Sequence, residues 1–496
     1  MSQIFNWSDW GVRSAFALLF WIPFGLSLFM RVRPTRAGLL VLIWGMMWLP
    51  EAAAFDFPLL PPLNKYSLSA LCALLGVYIW GRSRVRAARF GRGYDLIAFA
   101  MMLGEVGTVI TNQDPLSYGN WTSIHLPAFT AYDGLSAAVR DFLDVCVPLV
   151  LGRALIRSRK DLAEMMQVLV VAGLVYSVPI LYELRMSPML HENLYGFLPR
   201  TDWSQNLRLG GYRPTVFMGH GLVVGFFMFL CTTAAVALHK AGKRKLWGSV
   251  PMSFVVGYMF LMLVLVKATA ALLYAAAGFA LIRYVSPKTQ LRVYVFLALI
   301  VVSYPFSRLT DIFPTQGLLS AAGTFGADRA QSMQFRFDNE DILVLKGGER
   351  PIFGWGGFAR ERVYDADTGK DLTVQDGAWI SLFGSHGVLG FACYYLILLM
   401  PIFATGRRFR RVRDPVERTL LTSLCFIVVI CGVNTLPNMS LPNLQFFFAA
   451  ALATLLEELP KQAAQAAKAQ QRAAAEAAEL APAPIGGLPH VPQNTR

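Results

Sequence analysis

Long apolar runs recur along the chain from Ser14 to the 450s, separated by short polar connectors. A membrane span needs about 20 predominantly apolar residues. The runs predict spans near 14–30, 37–53, 66–81, 94–112, 135–152, 162–182, 216–238, 248–266, 268–285, 291–307, 387–405, 419–435 and 443–457. The fold class is therefore an all-α polytopic membrane protein with about 12–13 transmembrane helices. The chain divides into N-terminal transmembrane helices 1–182, a first long loop 183–215, central helices 216–307, a large late loop 308–386, C-terminal helices 387–457 and a tail 458–496. The tail is Ala-rich, with helix propensity but no apolar stripe at first. It ends in Pro and Gly and is expected to be a disordered extension. The first run lacks an A-x-A-like cleavage site and is read as a span, not as a signal peptide.

The connectors alternate in charge. One set is basic: Arg31, Arg33 and Arg36; Arg82 to Arg92; Arg153, Arg157, Arg159 and Lys160; Lys240 to Lys245; Arg283, Lys288 and Arg292; Arg407 to Arg418. The other set, 54–65, 113–134, 183–215 and 308–386, holds few or mixed charges. The positive-inside rule places the first set in the cytoplasm and the second outside. The expected location is a bacterial inner (cytoplasmic) membrane, with any active site facing the periplasm. The two long outer loops are then where soluble-phase chemistry belongs.

Composition agrees. Of the 496 residues, 55% are apolar and 15% are charged, against roughly 25% charged in a soluble domain. A soluble enzyme, a disordered chain and a disulfide scaffold are excluded. Lys plus Arg is 45 and Asp plus Glu is 31, a net +14. That excess is concentrated in the inner connectors, so it sets topology and points to no nucleic-acid partner. The six cysteines fall in apolar runs without a CxxC pair and are read as packing residues. No HExxH, Cys/His pair or DxD-like cluster lies in the outer loops, and no Walker A pattern occurs. Neither a metal site nor a cofactor is expected.

Several charged residues stand out against this background. The first long loop ends NLRLGGYRPTVFMGHG, in which Arg208 and Arg213 flank a Gly pair and His220 precedes a span. An arginine fork suits a lipid pyrophosphate, because it donates two hydrogen bonds at once and keeps its charge; it equally suits snorkelling to headgroups. Lys267 interrupts the run VLVKATAALLY and belongs either to a short outer turn or to a cavity. In the late loop, Arg336 lies in a stretch, 333–345, that has the makings of an amphipathic surface helix. Arg350, Arg360 and Arg362 read as solvated loop cations. Asp376 lies in VQDGAWISLFGSHGVLG, where it is either a general base or an ordinary Asp-Gly turn. His386 and Glu105 read as packing or ion-pairing residues, as do Arg140, Asp141 and Asp144, for which internal salt bridges are expected.

These features together resemble the O-antigen ligase/polymerase superfamily of bacterial envelope proteins. In that family a late outer loop carries an Arg, then P-x-x-G-x-G about fifteen residues on, then a His-Asn pair and x-G-x-x-G at the start of the next span. Here Arg336, Pro351, Gly354, Gly356, Gly387 and Gly390 fall at matching spacings, and the segment Arg213 to Gly221 resembles the family's earlier Arg motif. The resemblance covers mainly 200–400. The family histidine falls on Asp376, followed by Gly377; His386 does not match that position. This departure shifts the reading from ligase toward polymerase.

The resemblance implies a metal-independent glycosyltransferase with a GT-C-like fold. Its donor would be a glycan on undecaprenyl pyrophosphate. Arg213 and Arg336 would bind the pyrophosphate, Asp376 would act as base, and Arg208, Lys267 and His220 would contribute to substrate binding. The expected product is a surface or exopolysaccharide. Ligation to lipid A-core or protein is one alternative, and a transporter or flippase of lipid-linked sugars is another. Expected partners are the glycan acceptor, the lipid bilayer and other envelope polysaccharide assembly proteins.

Overall fold

The computed structural model describes residues 7–479 except 58–59, 89–90, 92, 121–123, 201–202, 209, 325 and 439–442. It is 73% helical, and its strands form four two-stranded hairpins. The chain is an all-α membrane protein. Helices occupy every apolar run named above. Seven of the described helices are long and apolar enough to cross a bilayer: Gly11–Arg31, Tyr94–Thr111, Arg159–Met186, Gly221–Lys240, Pro287–Leu309, Ala378–Gly406 and Pro415–Asn434. Lys65–Trp80, Met252–Leu265 and Thr269–Tyr284 are shorter apolar helices.

The connectors start these helices by local chemistry. Pro34, Pro287 and Pro415 occupy first helical positions, where a missing N–H costs nothing. Ser158 and Asp161 form a capping box. Asp414 accepts the N–H groups of Val416 and Glu417 at 2.8 and 2.9 Å. The basic connectors also meet one another. Arg84 reaches Asp161 at 3.2 Å, Arg157 reaches Glu458 at 3.3 Å, Arg159 reaches Asp414 at 3.1 Å and Arg408 reaches Glu457 at 2.8 Å. One end of the bundle is therefore an arginine-rich end, and the long loops share the other.

Gly221–Lys240 is the central helix, with 89% of its most apolar window buried. It packs against Arg159–Met186, Met252–Leu265, Thr269–Tyr284 and Pro415–Asn434. Gly11–Arg31 and Pro287–Leu309 are each 33% buried. They turn Phe16, Phe20, Phe296 and Leu299 outward, an apolar belt that suits lipid contact.

The structure departs from the sequence reading in three places and extends it in a fourth. The run 135–152 is segmented into Ala131–Asp141, a π turn at Phe142–Cys146 and Val147–Leu155. The span expected from 387 starts nine residues earlier, as Ala378–Arg408, and breaks at Gly387 (φ 61°, ψ −165°). The helix read over 333–345 is present and longer, Ala327–Gly348, and the late loop is built on it. The tail is helical through Glu479, because its Ala-rich half continues Leu444–Glu479 without a breaker other than Pro460. The Pro/Gly end, 480–496, lies outside the described residues.

Candidate functional site

Two groups of residues occupy the long-loop end. The first is built around Arg213. The Gly pair makes a hairpin, in which Leu207–Arg208 pairs with Gly211–Tyr212 and Gly210 turns at φ 69°. The segment that follows is held from three sides. Glu183, fully buried, accepts the N–H groups of Thr215 and Val216, both at 2.8 Å, and that of Leu190 at 3.1 Å. The Tyr176 hydroxyl accepts the Phe217 N–H at 3.1 Å. The Lys65 ammonium donates to the Phe217 carbonyl at 2.6 Å and pairs with Glu51 at 2.8 Å. Buried polar groups satisfied in this way fix the backbone.

Arg213 leaves this fixed segment 4% exposed. Its Nε is buried without a hydrogen-bond partner, and among the described residues its guanidinium has no carboxylate partner. Burial, with Arg208 beside it, lowers the Arg213 pKa to about 10. A buried charge without a counter-charge is costly, and a bound anion would remove that cost. Arg208 is exposed at the rim. Lys267 sits in the turn between two helices at φ 57°, which decides between turn and cavity. Its ammonium lies against Gly211, where a Cβ would come within 2.5 Å of it. His220 is already committed. Its Nδ1 accepts the Leu222 N–H at 3.0 Å as a helix cap, and its Nε2 lies 2.7 Å from Gln205 Oε1. The sequence-predicted set Arg208, Arg213, His220 and Lys267 is thus gathered in one place, with His220 as a positioning group.

The second group lies in the late loop. Arg336 and Asp376 are forty positions apart in sequence and form an ion pair at 3.2 Å, each about two-fifths exposed. The helix Ala327–Gly348 is anchored one turn further on. Arg308 bridges Glu340 at 3.1 Å and Asp341 at 2.5 Å, while Glu340 also accepts from Tyr304 at 2.8 Å and Trp379 at 3.1 Å. Burial pushes the Glu340 carboxyl pKa up against these donors.

The motif glycines have a structural role. Trp355 and Gly356 donate their N–H groups to the carbonyls of Gly384 and Ser385, both at 2.8 Å, and Val388 donates to Pro351 at 2.7 Å. The 351–356 loop is inserted into the break in Ala378–Arg408. A Cβ on Gly387 would meet the Ile352 backbone at 2.4 Å, and one on Gly354 would meet the Ser385 backbone at 2.5 Å. Only glycine allows so close an approach at these positive φ values.

The reading of Arg350, Arg360 and Arg362 as solvated cations is corrected. Arg360 is 1% exposed and donates to the Pro127 and Asp114 carbonyls at 2.8 and 2.9 Å. Arg350 pairs with Asp114 at 2.7 Å and Arg362 with Asp371 at 2.6 Å. Arg350 and Arg360 tie the late loop to 113–134, and Arg362 braces the loop internally. Gly119 and Asn120 complete that seam by donating to Ala366 and Asp367.

His386 lies at the helix break, with its Nδ1 2.7 Å from Glu105 Oε1. Asp141 is buried nearby and its Oδ2 has no hydrogen-bond partner. The internal salt bridges expected for Asp141 and Asp144, with Arg140 or with another span, are not found among the described residues. The π turn rotates the positions after Asp141 out of the regular helical register. Sequence reasoning missed the His386–Glu105 pair, since no local pattern connects residues 281 positions apart. Among the described residues no hydrogen bond or ion pair joins the Arg213 group to Arg336 or Asp376. No family model matches this chain, and no curated protein matches it.

Proposed function

We propose that this protein transfers a glycan from an undecaprenyl-pyrophosphate-linked donor to an acceptor hydroxyl at the periplasmic face of a bacterial inner membrane. In this reading it polymerises repeat units of a surface or exopolysaccharide, on a GT-C-like scaffold of 12–13 spans. The observation that carries the reading is Arg213, buried without a carboxylate partner among the described residues and held by a rigid backbone. Such a group is prepaid for an anion.

The donor's pyrophosphate would lie against Arg213, with Lys267 and Arg208 at its rim. The acceptor oxygen attacks the anomeric carbon while the bond from that carbon to the pyrophosphate oxygen breaks. The acceptor's proton passes to Asp376, and undecaprenyl pyrophosphate leaves with the bonding electrons. Arg336, now on Asp376, would turn to the leaving group as its charge grows. His220 supports the site as the cap of the central helix.

A transport reading has one observation in its favour. Glu105, His386 and Asp141 form a buried titratable group inside the bundle, as a substrate or proton path requires. One experiment separates the two. Purified protein is given lipid-pyrophosphate glycan in detergent, and products are resolved by size. Transfer without two compartments is the expected result; its absence with a competent acceptor would favour transport. Length growing on the carrier lipid identifies a polymerase, and product on another acceptor a ligase.

A further inference from the structure

The arginine-rich end holds a cavity of about 770 Å³. It lies between Pro287–Leu309, the end of Ala378–Arg408 and the start of Pro415–Asn434. Its floor is apolar, with Leu291 and Phe409 both buried. Its walls carry Lys288, Arg292, Arg410 and Arg418, and no acidic residue lines it.

Several arginines at that end are neutralised within the chain. Arg84, Arg153, Arg157, Arg159 and Arg408 each pair with a carboxylate. Among the described residues, none of the four cavity cations does. Arg418 is fixed, with its Nε donating to the Val412 carbonyl at 2.7 Å and its guanidinium 5.5 Å from the Phe409 ring centre. Lys288, Arg292 and Arg410 are exposed around it. Four like charges around one hollow repel each other unless an anion sits among them.

The hollow also has a direction. It opens where the spans end, and on the same helix as Leu291 the exposed Phe296 and Leu299 continue an apolar surface along the bundle. A free phosphate would satisfy the cations but leave the apolar floor and track unused. A lipid phosphate with acyl chains uses both. We propose that this cavity binds an anionic phospholipid of the adjoining leaflet, the diester phosphate among the four cations and an acyl chain over Leu291 and along Phe296 and Leu299. The proposal does not depend on the transferase reading.

The test uses full-length protein, purified in detergent and stripped of lipid. Thermal unfolding is followed with phosphatidylglycerol, phosphatidylcholine or inorganic phosphate. Phosphatidylglycerol is expected to raise the unfolding temperature, and the other two are not. The triple variant Lys288→Gln, Arg292→Gln, Arg410→Gln is expected to bind phosphatidylglycerol at least about tenfold more weakly, since each cation near an anionic headgroup contributes on the order of 1 kcal/mol. Equal stabilisation by phosphatidylcholine or by phosphate alone overturns the proposal, as does undiminished affinity in the variant. Should the variant not fold, a photoactivatable phosphatidylglycerol on the unaltered protein decides. Adducts are expected within 287–300 and 402–418, and adducts confined to other segments overturn the assignment.

Discussion

In the late loop, Arg308, Arg336, Arg350, Arg360 and Arg362 each pair with a carboxylate, at 2.5 to 3.8 Å. In the first long loop, Arg208 and Arg213, with Lys267 across the hairpin, have no carboxylate partner among the described residues. Both loops lie at the same end of the bundle and carry similar residue types. The difference lies in who neutralises the charge. Paired cations fasten the late loop to its neighbours, and the unpaired ones leave a positive site for something the protein does not contain. Arg336 stands between the two cases, since its partner, Asp376, is itself a candidate for the chemistry.

The comparison can be broken most directly at Glu340. Removing it leaves Arg308 with only the exposed Asp341 as counter-charge and unpairs the Tyr304 and Trp379 donors, so Glu340→Ala should destabilise the protein by about 3–5 kcal/mol. Chemical denaturation measures this, and an unaltered midpoint would mean that the late-loop pairs do not carry the fold. Next comes Arg213→Ala. If that guanidinium stabilises a departing pyrophosphate, transfer should fall by about 10²–10³-fold, with unfolding unchanged or slightly delayed because an uncompensated charge is gone. A variant that loses stability and keeps its activity would put Arg213 with the paired class. Gly387→Ala follows. The backbone conformation there costs a non-glycine residue roughly 1–3 kcal/mol, before the clash with Ile352 is counted. Proteolysis of the late loop should accelerate, and a resistant loop would show that the insertion is dispensable. The smallest effect belongs to Arg336 and Asp376. A half-exposed pair should show a coupling of about 0.2–1 kcal/mol in a double-mutant stability cycle. The same two substitutions are expected to abolish long glycan, so a large stability coupling with normal glycan would make the pair purely architectural.

The sequence revealed these regions unevenly. Span positions were legible because burial in lipid demands long apolar runs, and helices stand at each of them. Breaks were not: neither the π turn at Phe142–Cys146 nor the kink at Gly387 alters the apolar pattern that marks a span. Arg213 was legible as a candidate because a cation on the outer side runs against the topological bias. That no described carboxylate pairs with it was not, since the one that holds the neighbouring backbone, Glu183, accepts three backbone N–H groups instead. Arg360 misled for the converse reason. Its partners are the carbonyls of Pro127 and Asp114, which no local pattern connects to residue 360.

The insertion of the 351–356 loop into the broken helix also sets an order of assembly. The contacts of Asp114 with Arg350 and of Glu105 with His386, on either side of it, join segments separated by 236 and 281 residues. The loop insertion and the Glu105–His386 pair cannot form until the helix Ala378–Arg408 has been synthesised and placed in the bilayer. The early spans must therefore wait, with Glu105 without its His386 partner, while most of the chain is made. Closure of this end is a late step of biogenesis, and the long sequence separation makes it a slow one.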